Sequence, residues 1–170
     1  LIKLLEQFNP KFIAMPIDSP GKNFRHELFP DYKANRSAPP EEFVQQIPRM
    51  IEIAKLFAIP VLAESSVEAD DLIATLTRRV LDDAAHNEVQ VRIVTRDKDL
   101  QQLLNDRVVM IDIHKDQIID PKTLLQDKGI RPDQVIELLM LTGDTADNIP
   151  GVDKVGEKTA AKLLSEYDTI

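Results

Sequence analysis

The sequence predicts an α/β protein: a parallel sheet flanked by helices, followed by a helical module. Three observations carry this. Short apolar, β-branched runs alternate with helix-periodic segments as far as residue 113. Beyond that point the periodicity is helical only, and two of the segments close on a glycine, Gly129 and Gly143. Acidic residues gather where the strand-like runs end, which is where open parallel sheets bind ligands.

Taken in order, "LIKLLEQF" (1–8) reads as the middle of an amphipathic helix. "FIAMPID" (12–18) is an apolar run ending in an acid and predicts a strand. Pro16 cannot donate to a ladder, so an edge position is expected. "SPGK" (19–22) is a turn. From Asn23 to Pro40 the pattern dissolves, interrupted by Pro30, Pro39 and Pro40. Phe43, Ile47, Met50, Ile51, Ala54 and Phe57 then give helical spacing over 40–59, with Glu41 and Glu42 at the positive end of the dipole and a kink expected at Pro48.

"IPVLAE" (59–64) predicts a strand, and 66–85 a helix with Ser66 as N-cap. "VQVRIVTRD" (89–97) and "RVVMIDI" (107–113) predict strands on either side of a short helix over 97–104. Helices are expected at 121–129, 131–143 and 157–167. The expected domains are an α/β core over 1–120, containing a distinct region at 23–58 that is irregular to Pro40 and helical after it, and a helical module over 121–170.

Bulk composition narrows the chemistry. A length of 170 residues suits one domain, with at most a small appendage, and 43% apolar residues can supply a core. There is no cysteine, which excludes disulfides and thiolate zinc sites and fits a reducing compartment. No apolar run approaches the roughly twenty residues of a membrane span. The chain starts at Leu1, inside a helical pattern, and is expected to be a fragment of something longer. The net charge of −8 argues against nucleic acid as a sum, but local patches decide partners.

The acids at element boundaries are Asp18, then Glu68, Asp70 and Asp71, then Asp97 and Asp99, then Asp144 and Asp147. Glu68 and Asp71, at i and i+3, share a helix face. Carboxylates packed together repel one another, and some would protonate. A hard divalent cation such as Mg²⁺ removes the conflict. Two ions about 4 Å apart, the geometry of phosphodiester chemistry, would use a set of this size. The bland alternative is that Glu68, Asp70 and Asp71 only stabilise a helix N-terminus.

A basic, aromatic strip precedes them. Lys22, Arg25, His26, Lys33 and Arg36 alternate with Phe24, Phe29 and Tyr32. Such residues neutralise phosphates and stack on exposed bases, or they form an ordinary connecting loop. Near the C-terminus, Gly151, Gly156, Lys158 and Thr159 superficially suggest a nucleotide-binding loop, but Glu157 intervenes and no strand precedes. A glycine-bounded turn between helices can instead grip a phosphate through backbone N–H groups, with Lys154, Lys158 and Lys162 adding charge. His26, His86 and His114 have no ligand spacing and are assigned no chemistry.

Together, "FRHELFPDYKANR", "VEADDLIATL", "TRDKDLQQLL" and "LTGDTADNIPGVDKVGEKTAAKLL" resemble the 5′-nuclease domain of bacterial DNA polymerase I, in the flap endonuclease superfamily. The resemblance implies a PIN-like sheet, a helix–hairpin–helix module, and Mg²⁺- or Mn²⁺-dependent hydrolysis of DNA at 5′ ends, nicks or flaps during replication and repair. It places Asp18, Glu68, Asp70, Asp71, Asp97, Asp99, Asp144 and Asp147 in the metal cluster. Arg25, Lys33 and Arg36 match the helical arch, with Arg25 and Lys33 stabilising charge on the scissile phosphate. Lys22, Tyr32 and, in the hairpin, Gly151, Lys154, Gly156, Lys158 and Thr159 are assigned to DNA, and the Gly151–Lys158 hairpin also to a K⁺ ion.

The resemblance further implies a monomeric unit of a longer polymerase chain in the bacterial cytoplasm. The family's first strand, with a further metal-binding Asp, has no match here, which would leave the sheet without a central strand and the site without one ligand. That absence favours a second reading, a DNA-structure-binding fragment without catalysis; a third, a PIN-like ribonuclease, is opposed by the hairpin module.

Overall fold

The structure, a computed structural model, describes every residue from Leu1 to Ile170. The elements are α1 (Ile2–Phe8), β1 (Met15–Pro16), α2 (Phe24–Leu28), α3 (Glu41–Leu56), β2 (Val61–Leu62), α4 (Ala69–Asp82), β3 (Val91–Val94), β4 (Val108–Asp112), β5 (Gln117–Ile119), α5 (Pro121–Lys128), α6 (Val135–Thr142) and α7 (Glu157–Tyr167). Short 3-10 segments lie at Ala84–His86, Lys98–Leu103 and Pro132–Gln134. The chain divides into two compact units. The first comprises Leu1–Pro30 and Arg36–Ile73, the second Asp31–Asn35 and Ala74–Ile170.

In the first unit β1 pairs in parallel with β2, Met15 opposite Val61 and Pro16 opposite Leu62. The Met15 and Ile17 N–H groups donate to Pro60 and Leu62, each at 2.9 Å. Pro16 falls between these donors, where the ladder asks for none, so the strand tolerates it. The helix expected over 40–59 forms as α3 with Pro48 inside it, but of its apolar residues only Ala54 is buried. Phe43, Ile47, Met50 and Ile53 remain exposed.

Two local predictions change in this unit. The irregular stretch after Asn23 contains the short helix α2, closed by a capping box in which Asn23 and His26 satisfy each other's backbone N–H groups. Ser66 does not cap the next helix. It sits in the left-handed region at φ 66, and α4 starts three residues later at Ala69. The orphan donors at that start are taken by carboxylates instead: Asp18 accepts from the Ala69 N–H at 2.7 Å and Asp71 from the Glu68 N–H at 2.8 Å.

The second unit holds the main core. β3 and β4 are parallel, with Val91 opposite Val108 and Val94 opposite Ile111. Val108, Met110, Leu124, Ile130 and Leu164 are fully buried there, each such side chain contributing about 1.5–3 kcal/mol. The sequence pattern ends its strands at 113, yet β5 follows and pairs antiparallel with β4. The turn between them is built by the Asp112 carboxylate, which accepts from the His114 and Lys115 N–H groups at 2.9 and 3.2 Å, and by Asp116 at φ 51. At three residues, β5 is too short to show a period.

The strands therefore form two small sheets, β1–β2 and β3–β4–β5, rather than one. The segment after β3 is a 3-10 helix because Asp97 caps it at the Asp99 N–H, with Leu100 turned into the core. α5 and α7 form as the sequence predicts, whereas the helix expected over 131–143 is divided into the 3-10 segment Pro132–Gln134 and α6, which starts at Val135. Asp120 and Thr123 close a capping box on α5, and Gly129 and Gly143 end α5 and α6.

Candidate functional site

Half of the candidate acids belong to the first unit. Asp18 follows β1, and Glu68, Asp70 and Asp71 form the start of α4. Glu68 and Asp71 share a helix face, as their spacing predicts, and Arg25 of α2 fills it. Its guanidinium makes a two-pronged contact with Asp71, at 2.8 and 2.7 Å, and stands 3.7 Å from Glu68. Asn23 donates its side-chain amide to Glu68 at 2.7 Å and accepts the Arg25 N–H at 3.0 Å. The arginine expected on a phosphate is thus seated on two of the acids.

The other four acids belong to the second unit. Asp97 and Asp99 follow β3, and Asp144 and Asp147 follow α6. Asp144 is buried, its backbone paired both ways with Ile149 and its carboxylate accepting from the Ala146 N–H at 2.8 Å. Lys98 lies 3.5 Å from the same carboxylate. Lys98 sits in the sequence between Asp97 and Asp99, a signal available from the start.

Asp99 stands out. Its Oδ1 is buried and has no hydrogen-bond partner. Burial first, then the charges of Asp97 and Asp144, with Lys98 opposing and Asp147 adding, push its carboxyl up to about 6. A buried carboxylate oxygen without a donor, with three further carboxylates acting on it, is a donor set of hard oxygens. That chemistry fits a divalent cation such as Mg²⁺ or Mn²⁺. No three Asp, Glu or His side chains converge on one point, so ligation requires these carboxylates to turn toward a common centre.

The raised value has a testable sign. A carboxyl whose folded pKa lies above its ordinary value lends stability below about pH 4 that is lost as pH rises through about 6. In chelator, Asp99→Asn is expected to raise the melting temperature at pH 8 by about 3 °C and to change it little at pH 4.5. Paired thermal melts at the two pH values check this.

The basic strip is split by the fold. Lys22 and Arg36 are exposed. Tyr32 and Lys33 lie in the five-residue piece that belongs to the second unit. The Tyr32 ring, expected to stack on bases, is only 5% exposed and is not open to a base. Its hydroxyl donates to Asp147 at 2.9 Å. The Lys33 ammonium lies 4.0 Å from the same carboxylate and 4.8 Å from the Tyr32 ring centre. The sequence carries no signal for the contacts of Asn23 with Glu68 or of Tyr32 with Asp147, because these partners are remote in the chain.

In the hairpin, Gly143 and Gly151 bring two backbones together. A Cβ on Gly151 would run into the Thr142 carbonyl and the Gly143 amide. Gly143 itself has φ 70 and ψ −178, a conformation reserved for glycine. Gly156, by contrast, is uncrowded and is the N-cap of α7. Lys154, Lys158 and Thr159 are exposed beside it.

Two family models match the chain: 5′–3′ exonuclease, N-terminal resolvase-like domain, over residues 1–129, and 5′–3′ exonuclease, C-terminal SAM fold, over 130–170. The 5′–3′ exonuclease of Bacillus subtilis (strain 168) is 40% identical over 174 residues, an alignment covering 100% of this chain and 57% of the relative. DNA polymerase I of Rhizobium leguminosarum is 42% identical over 158 residues, covering 93% of this chain and 15% of the relative. The chain thus spans little more than half of the exonuclease relatives and a small part of the polymerases.

Among solved structures, the flap endonuclease of bacteriophage T5, determined as a pseudo-enzyme-product complex with DNA and metal ions, superposes with a TM-score of 0.84 at 24% identity, covering 99% of this chain and 65% of that one. The catalytic core of Rad2 in complex with DNA gives 0.59 at 20% identity, covering 99% and 51%. These likenesses show the fold: the α/β architecture of the flap nucleases.

Proposed function

The chain belongs to the 5′–3′ exonuclease family, and from that premise we propose that it hydrolyses DNA phosphodiesters at 5′ ends, nicks or flaps with the help of divalent cations. The observation that carries this reading is Asp99, a buried carboxylate oxygen with no donor, acted on by Asp97, Asp144 and Asp147. Such an arrangement is unfavourable alone and becomes favourable around a hard cation.

Asp97, Asp99, Asp144 and Asp147 would hold one cation, and Asp18, Glu68, Asp70 and Asp71 another. Bound there, Mg²⁺ or Mn²⁺ supplies a water of lowered pKa and neutralises phosphate charge. Lys33 places an ammonium beside the carboxylates, where it stabilises charge growing on the phosphate oxygens. Arg25 first serves as the resident counter-charge of Glu68 and Asp71, and its phosphate role requires it to leave them. The backbone N–H groups around Gly151–Lys158, with the N-terminus of α7 behind them, suit the phosphates of a duplex without reading sequence. Carbonyls of the same hairpin suit a K⁺ ion. Supporting the substrate assignment, the superposed nucleases were solved with DNA.

Cleavage of a labelled 5′-flap duplex with Mg²⁺ tests the proposal. Activity is expected to vanish in excess chelator, and Asp70→Asn is expected to lower turnover far more than DNA affinity. Activity that persists in chelator overturns the metal role. Salt-dependent binding to flaps without cleavage, indifferent to Mg²⁺, overturns catalysis and leaves a binding module.

A further inference from the structure

We propose that Tyr32 is the positioning residue of the acidic loop 144–148, so that the loop's occupation by a divalent cation and the seating of Lys33 are coupled. The proposal rests on the metal reading above. The starting point is where residues 31–35 go. Their neighbours on both sides, up to Pro30 and from Arg36, belong to the first unit, while Asp31–Asn35 belong to the second.

The reason is a clasp of hydrogen bonds between this piece and the loop. The Lys33 N–H donates to the Asp147 carbonyl at 3.0 Å. The Asn35 amide donates to the Thr145 carbonyl at 2.7 Å, and the Asn148 amide returns to the Asp31 carbonyl at 2.8 Å. The Tyr32 hydroxyl donates to the Asp147 carboxylate at 2.9 Å. Each side of the clasp also holds one non-glycine residue in the left-handed region, Lys33 at φ 57 and Asn148 at φ 59. Such conformations persist where the surroundings over-determine them.

Of these contacts, only the Tyr32 hydroxyl touches a candidate metal-holding side chain. A buried phenol that loses its partner is penalised, so the Tyr32 ring and the Asp147 carboxylate are set together. The same ring lies under the Lys33 ammonium. One aromatic seat therefore orients an acid and a base at once. Whatever repositions Asp147 acts on Lys33, and by reciprocity the converse holds.

The test exploits composition: the chain has two tyrosines and no tryptophan. In Tyr167→Phe, which alters a residue that is 64% exposed, Tyr32 is the one remaining tyrosine, and its emission, excited beyond the phenylalanine band, is expected to change saturably with Mg²⁺. Tyr32→Phe keeps the ring and removes the hydroxyl. It is expected to speed hydrogen exchange at the Lys33 and Ala146 amides but not in β3, and to weaken Mn²⁺ binding, read by electron paramagnetic resonance, by about 10–100-fold.

Unchanged exchange in Tyr32→Phe overturns the clasp. Faster exchange with unaltered Mn²⁺ affinity, or Tyr32 emission indifferent to a cation that binds, overturns the coupling. A wild-type protein that binds no Mn²⁺ at all overturns the coupling together with the metal reading, while the exchange data still judge the clasp on its own.

Discussion

Lys33→Ala is expected to lower turnover on a 5′-flap duplex by about 10²–10³-fold, the usual cost of removing one preorganised group that stabilises transition-state charge. DNA affinity is expected to fall far less, because one cation is a small part of a phosphate-binding surface. The structure separates this lysine from Arg25, which the sequence treats as its equal. Arg25 is held by Asp71 in a close two-pronged pair, whereas the Lys33 ammonium rests 4.0 Å from Asp147 with its side chain 19% exposed. An ammonium already standing beside the acids is placed to stabilise charge that grows on a phosphate taken up there. Single-turnover cleavage at saturating Mg²⁺, set beside equilibrium binding of the same duplex, decides the matter. Equal losses in rate and affinity would assign Lys33 to binding alone.

Gly151→Ala is expected to destabilise the protein by about 3 kcal/mol, a drop of about 6–12 °C in melting temperature. The added methyl has no space, because it meets the Thr142 carbonyl and the Gly143 amide. Both are backbone, and α6 ends there with the Gly143 N–H bonded to the Leu139 carbonyl, so neither side can move cheaply. The Val152 N–H bonds to the Leu141 carbonyl at 2.8 Å across the same junction. Gly156→Ala is the matched control. Nothing lies within 4 Å of the new Cβ and the backbone is extended, so the change should stay within about 1 kcal/mol, the loss of a good N-cap residue. Denaturant melts of the two variants give the comparison. If Gly151 were conserved in role with Gly156 as a phosphate cradle only, both would fold normally and both would lose DNA affinity.

The helices from Pro121 onward were legible because their boundaries are written in neighbouring residues. Asp120 with Thr123 starts α5, Gly129 stops it, and Gly143 stops α6. The same local reasoning failed at Ser66, where the donors at the head of α4 found carboxylates rather than a serine hydroxyl. It failed again at β5, whose three residues are stabilised by pairing with β4 and not by any pattern of their own.

The chemistry divides in the same way. Which residues are acidic, and that they stand at element ends, can be read along the chain, because charge type and local periodicity are properties of near neighbours. Which donor meets which carboxylate cannot. Arg25 reaches Asp71 across 46 residues and Tyr32 reaches Asp147 across 115. Contacts that distant depend on how the backbone packs, and packing is settled by the whole core at once, so folding alone chose to seat an arginine on one acid pair and a buried phenol on another acid.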